Sequence, residues 1–228
     1  MTTVFPHTVK CSVCGAENEI MVVASTNAFG PTDLDTRPPE MKRSTMYYWV
    51  QECSACGYAA TDLTDETKLD RSFFETDDYL TCSGISFASD LAKSFYRQYL
   101  IMTAEKQHED AFFAAMHAAW SCDDKEDRAN AVLMREKAVE EAEQLLQSDD
   151  CDWKDTVRLI RADLLRRTGR FDELLEQYES AAFDGELLNQ IIAFEKELAR
   201  RKLSGCYTVA DAEAYADGSW DWNGREGE

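Results

Sequence analysis

Four cysteines near the N-terminus carry the plainest chemistry in this chain. They stand in two matched pairs, Cys11-Ser12-Val13-Cys14-Gly15 and Cys53-Ser54-Ala55-Cys56-Gly57. The C-x-x-C spacing lets two thiolates on one tight turn face a common centre about 2.3 Å away. The glycine that follows permits the positive φ such a turn needs. One pair alone is also the signature of a redox dithiol. Two pairs with the same trailing glycine predict a tetrahedral, all-thiolate zinc site whose ligands are Cys11, Cys14, Cys53 and Cys56. With sulfur in all four positions, none is left open for a catalytic water, so the expected zinc is structural. The 38 residues from Gly15 to Glu52 exceed the usual ribbon spacing. Each doubling of a loop costs only about 0.6 kcal/mol. Structural zinc contributes on the order of 10 kcal/mol, so the long spacer is tolerable.

A second polar constellation lies between the pairs. Phe29 to Pro39 holds three of the chain's four prolines and reads as a loop. Its Asp33, Asp35 and Arg37 are of types that bind ligands from loops. They can equally pair with one another, the aspartates capping turns. Elsewhere the chemistry thins out. Glu105-x-x-His108 is one copy of a motif that carboxylate-bridged metal sites need twice, and His108 is expected to be solvated at a helix end. His117, among alanines, reads as a core histidine. His7 lies near the first pair but is not needed as a ligand. No Gly-rich phosphate loop, G-x-S-x-G or His-Glu-x-x-His is present.

Two kinds of element must position these residues. Glu19–Ala24 and Met46–Gln51 read as strands, expected to pair antiparallel with one beside each cysteine pair. A sheet that small cannot bury a full core, which makes the metal its staple. From Phe87 the apolar period becomes helical. Helices are expected over 89–107, 109–122, 126–147, 153–168, 171–182 and 185–203. The fold class is therefore α+β, mostly α: a small zinc-ribbon β domain (1–62), a linker or short packed helix (63–86), antiparallel helical hairpins (87–210) and a loosely held acidic tail (211–228). Asp155 to Ala181 matches a tetratricopeptide-like (TPR-like) hairpin. Gly169 stands at its turn, Ala162 and Ala181 at small positions, and Phe171 and Tyr178 at aromatic ones; Leu174 departs from the pattern.

The net charge is −20, of which residues 1–60 carry only −2. Nucleic-acid affinity rests on Lys and Arg neutralising phosphates, so a nucleic-acid partner is disfavoured. Such a surface would steer toward basic partners. No run of about 18 apolar residues is present to span a membrane. Eight cysteines without an evident export signal read as reduced thiols and a cytoplasmic location.

The order of these features resembles an uncharacterised bacterial family that joins an N-terminal zinc ribbon to TPR-like helices. The resemblance rests on both C-x-x-C-G motifs, the loop Asp33-Leu34-Asp35-Thr36-Arg37-Pro38, Gly57-Tyr58-Ala59, Ala118-Ala119-Trp120, and Asp163 to Asp172. It implies zinc binding through the four cysteines and a helical scaffold, and no reaction. Three function classes are consistent with these residues. The first is a non-catalytic scaffold or adaptor that receives a protein or peptide. The second is a small-molecule-binding protein or enzyme using Asp33, Asp35 and Arg37. The third is a nucleic-acid-associated regulator using Lys10, Lys42 and Arg43.

Overall fold

The N-terminal strand pair forms because β-branched and aromatic residues alternate on both sides of the first cysteine turn. The computed structural model describes residues 1–222. Strand β1 (Thr3–Lys10) pairs antiparallel with β2 (Glu17–Ser25), with Lys10 opposite Glu17, His7 opposite Ile20 and Phe5 opposite Val22. The turn between them is Cys11 to Ala16, the first cysteine motif itself. The second motif is likewise the turn of a short hairpin, joining β3 (Gln51–Glu52) to β4 (Ala59–Ala60).

This corrects the expected strand pairing. Residues 19–24 do lie in a strand, but its partner is β1. Of the stretch 46–51, residues 46–48 end a 3-10 helix, Arg43–Tyr48, and Gln51 opens β3. The physical reason is local. With β2 paired to β1, the aromatic residues 47–49 have no ladder partner, so this segment satisfies its own donors: Thr45 N–H donates to Lys42 O at 3.0 Å and Trp49 N–H to Met46 O at 3.1 Å. The Thr45 hydroxyl donates to Lys42 O at 2.6 Å and accepts from Trp49 Nε1 at 3.0 Å.

The helical expectations agree with the structure to within a few residues. After a one-turn helix α1 (Asp77–Leu80) come α2 (Asp90–Ala104), α3 (His108–Asp123), α4 (Arg128–Gln147), α5 (Lys154–Arg167), α6 (Phe171–Tyr178), α7 (Glu186–Arg200) and α8 (Val209–Asp217). Ser89 caps α2 by accepting the Ala92 N–H at 3.2 Å, supplying one of the acceptors a helix start lacks. The molecule is thus mostly α with a small antiparallel β portion at its N-terminal end.

Two compact units emerge. Unit 1 comprises residues 1–29 and 40–141; unit 2 comprises 30–39 and 142–228. The boundaries by compactness differ from those by composition, because the proline-rich loop belongs with the later helices. In unit 1, α2 and α3 pack closely. Ala111, Ala114, Ala115, Ala118 and Ala119 of α3 are all buried, and side chains this small let two helix backbones approach. The stretch 63–86 is part of this core: Leu63, Phe74, Tyr79 and Cys82 are buried. In unit 2, α5, α6 and α7 pack on one another and α8 on α7.

The expected loose tail is corrected in its first part. Thr208 and Asp211 form a capping box, with Asp211 N–H donating to Thr208 Oγ1 at 3.2 Å and Thr208 N–H to Asp211 Oδ2 at 2.8 Å, and this starts α8. Gly218, at φ +81°, ends it. Trp220 and Trp222 then rest on Phe194, with ring centroids 5.2 and 6.2 Å away. The rest of the tail, 223–228, lies outside the described residues.

Candidate metal centre

Each cysteine motif is built by the same backbone bonds. Gly15 N–H donates to Cys11 O at 2.8 Å, and Gly57 N–H to Cys53 O at 2.9 Å. Cys11 N–H donates to Ala16 O at 2.9 Å, and Cys53 N–H to Tyr58 O at 2.8 Å. Both glycines sit at φ +73°, a conformation that costs an L-residue roughly 1–2 kcal/mol. The two turns are therefore copies of one device, presented by two different hairpins.

The turns meet. Cys11 Sγ lies 3.7 Å from Cys56 Sγ, and Cys14 Sγ lies 3.6 Å from Cys53 Sγ. All four sulfurs lie within 4.8 Å of one another. A tetrahedron with metal–sulfur bonds of about 2.3 Å has edges of about 3.8 Å, so this cluster fits a single ion such as zinc. Cys11 and Cys53 are buried and the other two half-buried. Burial pushes the Cys56 thiol up, and its hydrogen bonds with Cys14, Cys11 and Cys53 add to the rise. Burial also acts to raise Cys53, but the backbone N–H groups of Cys56 and Ala55, then Asn18 and Cys14, outweigh it and bring Cys53 down to about 6. Four sulfurs this close cannot all be thiolates without a cation among them. A divalent ion would supply that charge.

Asn18 is a functional residue that motif reading misses. It faces inward on β2 and is 7% exposed. Its Nδ2 donates to Cys53 Sγ at 3.5 Å and to Ala16 O at 3.0 Å. Its Oδ1 accepts from both Ser54 N–H and Ser54 Oγ at 3.0 Å. One amide thus ties the first hairpin to the second turn. The available signal was its strand register: Asn18 shares the face of Ile20 and Val22, where an apolar residue is expected.

The surrounding layer holds the turns to the helices of unit 1. Arg97 of α2 pairs with Glu52, just before Cys53, and donates through Nη2 to Leu80 O at 3.2 Å. Tyr79 donates to Gly57 O at 2.6 Å. Ser12 N–H donates to Leu63 O at 2.9 Å. Cys11, Cys53, Tyr58, Leu63, Phe74, Tyr79 and Ile101 share one apolar core.

The other sequence candidates fall elsewhere. Asp33, Asp35 and Arg37 belong to unit 2 and are buried. Arg37 N–H donates to Asp35 Oδ1 at 3.2 Å, and Arg167 Nη1 to Asp35 Oδ2 at 3.4 Å. Asp33 N–H donates to Arg37 O at 3.0 Å, and Leu34 N–H to Tyr207 O at 2.9 Å. The loop is thereby stitched to α5 and to the start of α8. His108 is not simply solvated, because its Nδ1 lies 2.7 Å from Glu141 Oε2. His117 is half-buried among aromatic rings; the protein around it lowers it to about 3, leaving the imidazole neutral near pH 7. It is ringed by Trp49, Phe95 and Trp120 at 5.0–5.1 Å. Lys10 pairs with Glu17 across the hairpin at 3.7 Å.

The described residues include no helix long and apolar enough to cross a membrane. No family model, curated protein or solved structure matches this chain.

Proposed function

We propose that this chain is a non-catalytic protein-interaction module held together by structural zinc. The close cluster of four sulfurs carries this reading. Four thiolates complete zinc's tetrahedron, so the ion would staple rather than catalyse. Cys11, Cys14, Cys53 and Cys56 would hold it, and Asn18 would orient Cys53. The ion's chemical contribution is charge: it keeps four thiolates together in a half-buried site.

A helical scaffold is the second part of the proposal. Its support in unit 2 is the hairpin of α5 and α6, which turns at Gly169 (φ +78°) with Ala162 and Tyr178 buried. The second helix is short, and Ala181 lies beyond its end at Tyr178, so any TPR likeness is partial. For Asp33, Asp35 and Arg37 we propose a structural role, since their partners are the chain's own groups. The free state of all eight cysteines suits the reducing cytoplasm.

Metal analysis of the full chain tests the first part. One zinc per chain is expected, and Cys14→Ser should abolish stoichiometric binding. A Cys14→Ser chain that keeps one zinc would overturn the ligand assignment. Crosslinking in native cell extract, with and without a chelator, tests the second. Partners captured equally well after zinc removal would break the link between metal and interaction.

A further inference from the structure

The hairpin β1–β2 has one apolar face that is only half covered. Phe5, His7 and Val9 share it with Asn18, Ile20 and Val22. At the metal end Val9 and Asn18 are buried, whereas at the far end Phe5 is 45% exposed. Between this face and the 3-10 helix runs a groove of about 660 Å³, walled on the far side by Tyr48, Trp49 and Thr61. Those three residues also wall an adjoining cavity of about 390 Å³, floored by Phe113 and His117 of α3. Thr61, Gln98 and Asp110 lead on into a third, of about 370 Å³. All of it lies within unit 1.

The trough changes character along its length. Its first part is mainly apolar, with Lys42 and Asp62 as its two charged residues. Its last part is lined by Asp65, Glu66, Glu105 and Asp110, with no lysine or arginine among its lining residues. Exposed apolar surface flanked by like charges marks an interaction site more than a solvated face. The outer edge of β2 is unpaired, so an extended chain beside it can also make backbone bonds.

We propose that this trough is a docking site for an extended peptide segment of a partner protein, apolar at one end and rich in Lys and Arg at the other. The assignment rests on the interaction-module reading and adds the surface and the chemistry of its occupant. Apolar side chains would fill the hairpin groove, and the basic residues would meet the carboxylates beyond Gln98. An acidic or purely polar segment would be repelled at the far end and gain nothing at the near one.

The probe is a randomised twelve-residue peptide library displayed on phage and panned on the zinc-loaded full chain. Enriched peptides should carry two or three apolar residues followed by Lys or Arg. A labelled copy of the best peptide should bind more weakly as salt rises. Phe5→Thr, which retains strand preference, should weaken it roughly tenfold, the size of one interface anchor. Glu66→Lys should weaken it several-fold, mostly at low salt. Both variants are checked for zinc content and helicity. Acidic consensus peptides, or peptides that bind both variants as tightly as the parent chain, would overturn the trough; in the second case the interaction reading stands. No enriched sequence, together with no crosslinked partner in cell extract, would remove both.

Discussion

Asn18 and Glu195 show how much a single buried polar group can carry. From β2, Asn18 reaches both the Cys53 sulfur and the Ser54 N–H of the second turn. Asn18→Ala should leave zinc bound but lower its affinity roughly 10–100-fold, as expected for a partner that orients a ligand. Competition with a chromophoric chelator measures this, and unchanged affinity would remove Asn18 from the site. In unit 2, Arg166 is wholly buried, donating to Glu195 Oε2 at 2.6 Å, Asp163 Oδ1 at 2.5 Å and the carbonyls of Leu203 and Gly205 at 2.8 Å. One cation faces two buried carboxylates. Burial pushes Glu195 up to about 8, the Asp163 charge adding to the rise while Arg166 opposes it. The folded protein therefore keeps a proton that the unfolded chain releases near pH 4.5. Stability contributed at low pH is lost as pH rises from about 4.5 toward 8, by up to about 1.4 kcal/mol per pH unit. Glu195→Gln should flatten that slope. Urea midpoints across this range would show it, and parallel slopes in the two proteins would refute it.

Among the elements, the two cysteine turns offer an internal comparison. Both glycines need positive φ, so Gly15→Ala should cost about 1 kcal/mol through the backbone alone. A Cβ at position 15 would meet open space, whereas one at 57 would lie 3.3 Å from Arg97 Nη1. Arg97 must give way by a few tenths of an ångström to admit that Cβ, which shifts its pair with Glu52, so Gly57→Ala should cost more than Gly15→Ala. Thermal unfolding of both zinc-loaded variants would rank them, and equal losses would contradict the role given to Arg97. The fate of the aromatic stretch 46–51 belongs to this scale too. Its composition favoured a strand, but strand preference means little without a neighbour to pair with. The N-terminal residues took β2, and the aromatic stretch closed on itself through Thr45. Near the C-terminus the pattern Thr208-x-x-Asp211 is a helix-start signature, and its capping box outweighs the preference for a loose tail that the acidic composition beyond it suggests.

For the whole molecule, the division into units would set the reach of a bound metal. All four sulfurs lie in unit 1, where Cys11 and Cys53 are part of the apolar core with Tyr58, Phe74 and Tyr79. Chelation should therefore loosen both hairpins and the stretch 63–86, because four unbalanced thiols would be left at the centre of that core. Unit 2 has its own centre in Arg166, Phe194 and Leu198, all fully buried. Hydrogen exchange of the full chain before and after chelation should show protection lost over 3–29, 40–60 and 63–84 and retained in α5 and α7. Uniform loss in both units would mean that the metal organises the entire chain.

The cysteine spacing alone pointed to one cluster of four sulfurs, because two C-x-x-C-G turns admit few arrangements other than one shared centre. Apolar periodicity alone determined where the long helices run, since a helix declares itself over many turns. Only the tertiary structure decided which strands pair, that Asp33, Asp35 and Arg37 are buried among the later helices, and that Asn18 spans the two hairpins. The reason is physical: each of these is a choice between partners far apart in sequence. Local composition sets what a segment prefers, while the burial available elsewhere decides which preference is satisfied.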